Sequence, residues 1–275
     1  MPRVKVNDIQ TYYEVKGKGF PLVMIQGAGG YIEGWDPRLV EGLSKHFKLI
    51  LFDNRGAGRT ETSNREYTIR LFADDTAGLM DTLGISKAHI LGMSMGGAVA
   101  QELVLNYPEK VSKLVLCSTY SKWRPTQEQS VLVNDLSMEE SIKTVLSLPF
   151  ASDYPSDFIR KNPLVVFSLT SDFVRENPDL ANHLLNPAIQ YPPSKENSKR
   201  VIDAILKFNT QRRLQRIKVP TLVLHGKRDL VCYPECGSFL AETIPHAKLV
   251  YLEKSNHMLA EEMSEVIRHI IEFLL

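Results

Sequence analysis

Apolar residues along this chain fall into short solid blocks at 21–25, 47–52, 88–91, 111–117, 219–225 and 247–252. Blocks of that length, rich in Val, Ile and Leu, read as strands buried on both faces. Upstream, Val4, Val6, Ile9, Tyr12 and Val15 are interleaved with polar residues around Asn7-Asp8, which predicts two strands joined by a turn. Between the blocks run longer amphipathic stretches. Residues 35–46, 69–83, 234–243 and 262–275 read as helices, with Leu71, Phe72, Leu79, Met80 and Leu83 on or near one face of the second. Strands alternating with helices predict an α/β fold, a mostly parallel eight-stranded sheet with helices on both faces.

The alternation breaks at about Thr119. From there to about Arg216 no strong strand block occurs, and Pro125, Pro149, Pro155, Pro163, Pro178, Pro187, Pro192 and Pro193 punctuate short helical segments. A stretch of roughly 90 residues is too long for a simple loop. The chain therefore reads as a core domain of residues 1–118 and 217–275 carrying a helical cap over 119–216. The cap leaves and rejoins the core at the carboxyl edge of the sheet, so it is expected to fold over that edge as a lid. Its aromatics, Trp123, Phe150, Tyr154, Phe158, Phe167, Phe173 and Tyr191, divide between the cap's own small core and a pocket wall. Trp123, Phe150 and Phe167 are the three assigned to the wall.

Composition narrows the class. With 33 Lys and Arg against 32 Asp and Glu, and no basic block, nothing points to a nucleic-acid partner. No apolar run is long enough to span a bilayer, and residues 1–6 alternate rather than forming the apolar block of a signal peptide. Three cysteines, Cys117, Cys232 and Cys236, do not make a disulfide framework. Cys232 and Cys236 would share a face if helical, but no second ligand pair suggests zinc. The expectation is a cytoplasmic protein with a small-molecule substrate, no cofactor, no metal, and no nucleic-acid or membrane partner. Its oligomeric state is left open.

Candidate chemistry centres on Gly92-Met93-Ser94-Met95-Gly96, which follows one apolar block directly. A serine on a sharp strand-to-helix turn is held at positive φ, lifting Oγ clear of the sheet, and the residues two before and two after must be small. Gly97, Ala98 and Ala100 keep the helix after it slim. A serine nucleophile needs a base and an orienting carboxylate, and in parallel sheets such groups gather where strands end. Asp229 follows the block at 219–225 and His257 the block at 247–252, in the order serine, acid, histidine. His46 and His269 lie on helices, His183 in the insertion, His246 before a strand, and His89 and His225 within strands as core or rim residues. Asp53 precedes the serine and heads an Arg- and Gly-rich turn, where a structural pairing with Arg55 or Arg59 is the better reading. The run Gly27-Ala28-Gly29 lacks the third glycine of a dinucleotide-binding loop, since position 32 is Ile32.

These motifs together resemble the α/β-hydrolases, in particular the lid-bearing esterases, lactonases and cofactor-free haloperoxidases. The resemblance spans the whole chain, through Gln26-Gly27-Ala28-Gly29, the run Asp53-Asn54-Arg55-Gly56-Ala57-Gly58-Arg59-Thr60, the Ser94 turn, Leu224-His225-Gly226-Lys227-Arg228-Asp229 and Ser255-Asn256-His257. It implies Ser94 as nucleophile, His257 as base, Asp229 as its orienter, and the backbone N–H groups of Ala28 and Met95 as an oxyanion hole. Gly27 and Gly29 would lie against the substrate. Where the family usually begins its oxyanion loop with His-Gly, this chain has Gln26-Gly27. The implied activity is hydrolysis of a carboxylic ester or lactone of small to medium, largely apolar character through an acyl-enzyme. Haloperoxidase, perhydrolase or carbon–carbon hydrolase chemistry uses the same triad, and a small-molecule receptor retaining it is the non-enzymatic alternative. Epoxide hydrolases and dehalogenases of this fold need a carboxylate where Ser94 stands.

Overall fold

The computed structural model describes residues 2–132, 137–185 and 194–275. Its strands are β1 (Arg3–Val6), β2 (Ile9–Lys16), β3 (Pro21–Ile25), β4 (Lys48–Phe52), β5 (Ala88–Met93), β6 (Val111–Cys117), β7 (Thr221–Gly226) and β8 (Lys248–Leu252). They form one sheet in the order β1-β2-β4-β3-β5-β6-β7-β8. The first two strands pair antiparallel, and β3 to β8 are parallel. This is the mostly parallel sheet that the apolar blocks predict.

Three helices lie within the first half of the chain: α1 (Pro37–Ser44), α2 (Ile69–Thr82) and α3 (Met95–Asn106). Among the described residues six more follow β6: α4 (Met138–Leu146), α5 (Ser156–Lys161), α6 (Val165–Ser168), α7 (Ser171–Glu176), α8 (Pro178–Leu185) and α9 (Lys195–Lys207). After β7 come α10 (Pro234–Thr243) and α11 (Met263–Leu274). Alternation along each strand divides the core between the two faces. Val23, Ile25, Ile50, Ile90 and Leu114 pack under α2, α3 and α10. Leu22, Met24, Leu49, Leu51, Leu91 and Val115 pack under α1 and α11. The inward stripe of α11, Met263, Val266, Ile270 and Leu274, has the three- and four-residue spacing of one helical face.

The described part of residues 119–216 contains helices and no strand, as its prolines and missing apolar blocks predict. Pro149, Pro155 and Pro163 fall at breaks between helices, while Pro178 opens α8. Ser137, Thr170 and Ser194 cap α4, α7 and α9 through their hydroxyls. Much of this segment has its own apolar cluster, including Val145, Ile159, Val165, Phe167, Phe173 and Leu184. Its two ends belong instead to the core beneath α2 and α3, through Tyr120, Trp123, Ala204, Ile205 and Phe208. Thr210 ties those ends together, its N–H donating to the Ser121 carbonyl and its hydroxyl to Gln101 Oε1. Pro187, Tyr191, Pro192 and Pro193 lie outside the described residues. Cys232 precedes α10, so it does not share a helix with Cys236; both are free thiols.

Candidate active site

Ser94 sits between the end of β5 and the start of α3 with φ 54° and ψ −122°. That conformation costs a non-glycine residue on the order of 1–3 kcal/mol, so the surroundings must impose it. The Ser94 N–H donates to the Cys117 carbonyl at 3.0 Å, and its carbonyl accepts from Thr119 Oγ1 at 2.6 Å. Close approach explains the glycines. A Cβ on Gly92 would lie 2.3 Å from the Gly96 carbonyl oxygen, and one on Gly96 would lie 2.0 Å from that of Ile25. One on Gly97 would meet the Thr119 side chain at 2.5 Å.

Asp229 and His257 stand side by side because β7 and β8 are neighbours and each residue lies in the loop after its strand. His257 Nδ1 is 2.9 Å from Asp229 Oδ2 and 3.1 Å from Oδ1. Oδ1 also accepts the N–H groups of Val231 and Cys232, at 2.8 and 2.9 Å. Burial pushes the Asp229 carboxyl up, but the charge of His257 and hydrogen bonds from His225 and His257 outweigh it and bring its pKa down to about 2. Asn256 ties the two loops together, Oδ1 accepting from the N–H of His257 at 2.8 Å and of Leu230 at 3.2 Å. Among the described residues no hydrogen bond joins Ser94 to His257.

The loop after β3 closes a turn, the Gly30 N–H donating to the Gly27 carbonyl at 3.1 Å while Gly29 adopts φ 63°. The side chain of Gln26 holds this loop from within, Oε1 accepting the Gly27 N–H at 2.9 Å. Asn54 holds it from outside, Nδ2 donating to the Gln26 carbonyl at 2.9 Å. Gly27 packs on the serine itself, where a Cβ would lie 3.2 Å from Ser94 Cβ. Among the described residues the N–H groups of Ala28 and Met95 donate to no acceptor. Asp53 anchors the neighbouring turn, bound by Arg59 at 2.8 Å and by the N–H of Ile32 at 2.9 Å.

Ser94, Met95, Ala28 and Gly29 line one cavity of about 380 Å³. Its wall is mostly apolar, with Phe72, Tyr120, Trp123, Val201, Ile202 and Ile205 prominent. Ser198, Val201, Ile202 and Ile205 are one face of α9, at intervals of three, four and seven residues. Trp123 is in this wall. Phe150 and Phe167 are not. Their rings meet edge to face, 6.1 Å apart, within the apolar cluster of the insertion. Phe150, in the turn after α4, and Phe167, on α6, pack against each other, and that takes both away from the cavity.

A family model described as the alpha/beta hydrolase fold matches residues 21–263. The chain belongs to that family. This alpha/beta hydrolase is 26% identical to "Putative carbamate hydrolase RutD" of Azorhizobium caulinodans over 98% of this chain and 97% of that one. It is 27% identical to 3-oxoadipate enol-lactonase 2 of Acinetobacter baylyi, over 91% of this chain and 86% of the relative. Among solved structures, the enol-lactonase of Burkholderia xenovorans superposes with a TM-score of 0.81 at 25% identity, covering 99% of each chain.

Several residues of this hydrolase's site have no loud sequence signal. His225, read as core or rim, is fully buried with Nε2 2.6 Å from the Cys232 carbonyl and 3.3 Å from Asp229 Oδ2. Its spacing of four from Asp229 across a glycine was the available hint. Asn197 on α9 pins that helix to the core, Nδ2 donating to the Gly56 carbonyl at 2.7 Å and Oδ1 accepting from Tyr67 at 3.1 Å. Among the described residues no group of three or more His, Cys, Asp or Glu is placed to hold a metal ion, and no helix is long and apolar enough to cross a membrane.

Proposed function

We propose that the protein hydrolyses an uncharged carboxylic ester or lactone through an acyl-enzyme on Ser94. One arrangement carries the reading: a strained serine and two unused backbone N–H groups, those of Ala28 and Met95, line the same apolar cavity. Ser94 Oγ attacks the carbonyl carbon while His257 takes its proton, and the carbonyl oxygen, now negative, accepts from Ala28 and Met95. Asp229 holds the imidazole with Nδ1 protonated and Nε2 free to act as base. The imidazolium then protonates the departing alcohol, and water repeats the sequence to release the acid. No hydrogen bond joins Ser94 to His257 among the described residues, and the proton transfer requires one to form.

Residues 119–216 act as the lid, with α9 as the inner wall. The enol-lactonase relatives favour ester or lactone chemistry, and the wall favours a neutral substrate. Arg55 is the cation lining the cavity among the described residues, and its guanidinium is taken by Asp75, Asp8 and Ser63. Residues 133–136 and 186–193 contain no Lys, Arg or His. A substrate carboxylate, such as an oxoadipate lactone bears, would enter without a counter-charge.

Fluorophosphonate labelling and a panel of p-nitrophenyl esters and lactones of graded length test the proposal. Labelling and turnover that both vanish in Ser94→Ala support it. Labelling that persists in Ser94→Ala places the nucleophile elsewhere.

A further inference from the structure

We infer that Asn54 Oδ1 selects, among the esters and lactones proposed above, those with an N–H or O–H donor on the carbon next to the scissile carbonyl. The inference rests on that reading of the cavity. Its starting point is an amide whose orientation is settled by its partners. One end of the Asn54 side chain faces the carbonyl oxygens of Gln26 at 2.9 Å and Gly27 at 3.5 Å, so that end is the NH2 group. The other end is therefore the carbonyl oxygen.

Among the described residues this oxygen accepts no hydrogen bond. The side chain is nonetheless buried, with 3% of the residue exposed. Oδ1 is not sealed within the protein as the buried unpartnered atoms of Trp35 and His225 are. Asn54 lines the cavity, so the access left to Oδ1 opens there. Among the other polar side chains of the wall, Asn197, Arg55 and Trp123 are taken up by protein partners, and the Ser198 hydroxyl is free to turn back onto its own helix. The Tyr120 hydroxyl also has no partner among the described residues, but a hydroxyl donates as well as accepts, whereas Asn54 Oδ1 can only accept.

Location then decides what the oxygen reads. Nδ2 rests on the carbonyl of Gly27, and Gly27 is the residue packed on Ser94. Asn54 is thus one contact removed from Ser94, its amide resting on Gly27 and Gly27 on the serine. When an apolar acyl group fills the cavity and displaces water, a lone acceptor there loses its hydration, and an occupant supplying a donor restores the bond. The fitting class is an α-hydroxy or α-acylamino ester or lactone with no charge.

The test compares ethyl 2-hydroxyhexanoate with its 2-methoxy analogue, and ethyl N-hexanoylalaninate with its N-methyl amide, with ethyl hexanoate as reference. The methoxy and N-methyl compounds keep the electron-withdrawing atom and lose only the donor. The hydroxy or N–H compound should have a kcat/KM about tenfold higher than its methylated partner in the wild type, and the ratio should collapse towards one in Asn54→Ala. Ratios cancel any general loss of rate from freeing the Gln26 carbonyl. Should Asn54→Ala fail to fold, the wild-type pairs decide alone. Preference in the hydroxy pair only assigns the donor as O–H, and preference in the amide pair only assigns it as N–H. Equal rates within both pairs, or a ratio unchanged in Asn54→Ala, overturn the inference. If those equal rates come with hydrolysis of ethyl hexanoate that Ser94→Ala abolishes, the hydrolase reading survives. No Ser94-dependent turnover of any of the five overturns both.

Discussion

The carboxylate of Glu261 accepts the backbone N–H of Thr170 at 2.7 Å, which fastens the insertion to the loop that carries His257. Its second oxygen accepts the N–H of Asn256 at 3.2 Å, and the N–H of Met258 donates to the Ser168 carbonyl at 3.1 Å. The residues on both sides of His257 are thus connected to residues 168–170. Glu261→Ala should strand two largely buried N–H groups, at about 1–3 kcal/mol each. The expected outcome is a Tm lower by roughly 5 °C and kcat lower by about tenfold with KM little changed. Calorimetry and steady-state kinetics check it; an unchanged kcat would show that the insertion does not set the position of the base.

Asp229→Asn should keep the geometry of the loop and hold the imidazole in the wrong tautomer, with kcat falling on the order of 10⁴-fold. A companion effect is expected in stability. The folded pKa of Asp229, about 2, lies below its ordinary value of 3.8. The stabilisation from its ionised form is therefore complete above about pH 4 and is lost as pH falls through the folded value. The gap in unfolding free energy between wild type and Asp229→Asn should narrow across that window, as acid titrations of both proteins would reveal.

Gly27 and Gly29 separate space from backbone strain. A Cβ on Gly27 would lie 3.2 Å from Ser94 Cβ, whereas one on Gly29 meets nothing within 4 Å but must adopt φ 63°. Gly27→Ala should lower kcat/KM by about 10²-fold through displacement of the nucleophile, with little loss of stability. Gly29→Ala should cost about 1 kcal/mol of stability and change activity less. Fluorophosphonate labelling rates and thermal melts distinguish the two.

Phe167 and Ile205 make a second contrast. Phe167→Ala opens a hole in the insertion's own cluster and should destabilise the protein by about 3–5 kcal/mol without moving the preferred acyl length. Ile205→Ala enlarges the cavity and should shift that preference to longer chains, each added methylene contributing about 0.8 kcal/mol until the space is filled. A chain-length profile identical in Ile205→Ala and wild type would remove α9 from the acyl site.

The parts of this molecule written locally were legible in the sequence. Apolar blocks gave the strands, Pro234 and Thr243 bounded α10 correctly, and the crowding around Ser94 is the reason Gly92 and Gly96 stand where they do. Asp229 and His257 could be brought together on paper because each follows an apolar block, and those blocks proved to be neighbouring strands. Phe150 and Phe167, assigned to the wall, lie in the insertion's own cluster, since the facing of short segments depends on their partners rather than on their own spacing. Asn54 has no signal of its own beyond its turn motif, because nothing in a sequence distinguishes an amide with a spare acceptor from one fully engaged.

The turn from Asp53 to Thr60 serves two clients. Through Asp53 and Asn54 it braces the loop of Ala28, and through the Gly56 carbonyl it holds Asn197 and with it the inner wall of the cavity. Rate and selectivity therefore share one mechanical support. Mutational routes through this turn should change how fast the enzyme works and what it accepts together, whereas substitutions on the cavity face of α9 should change what it accepts and leave the brace on the Ala28 loop in place. A laboratory lineage selected for a new substrate should accumulate its early changes at Val201, Ile202 and Ile205 and reach Gly56 and its neighbours last.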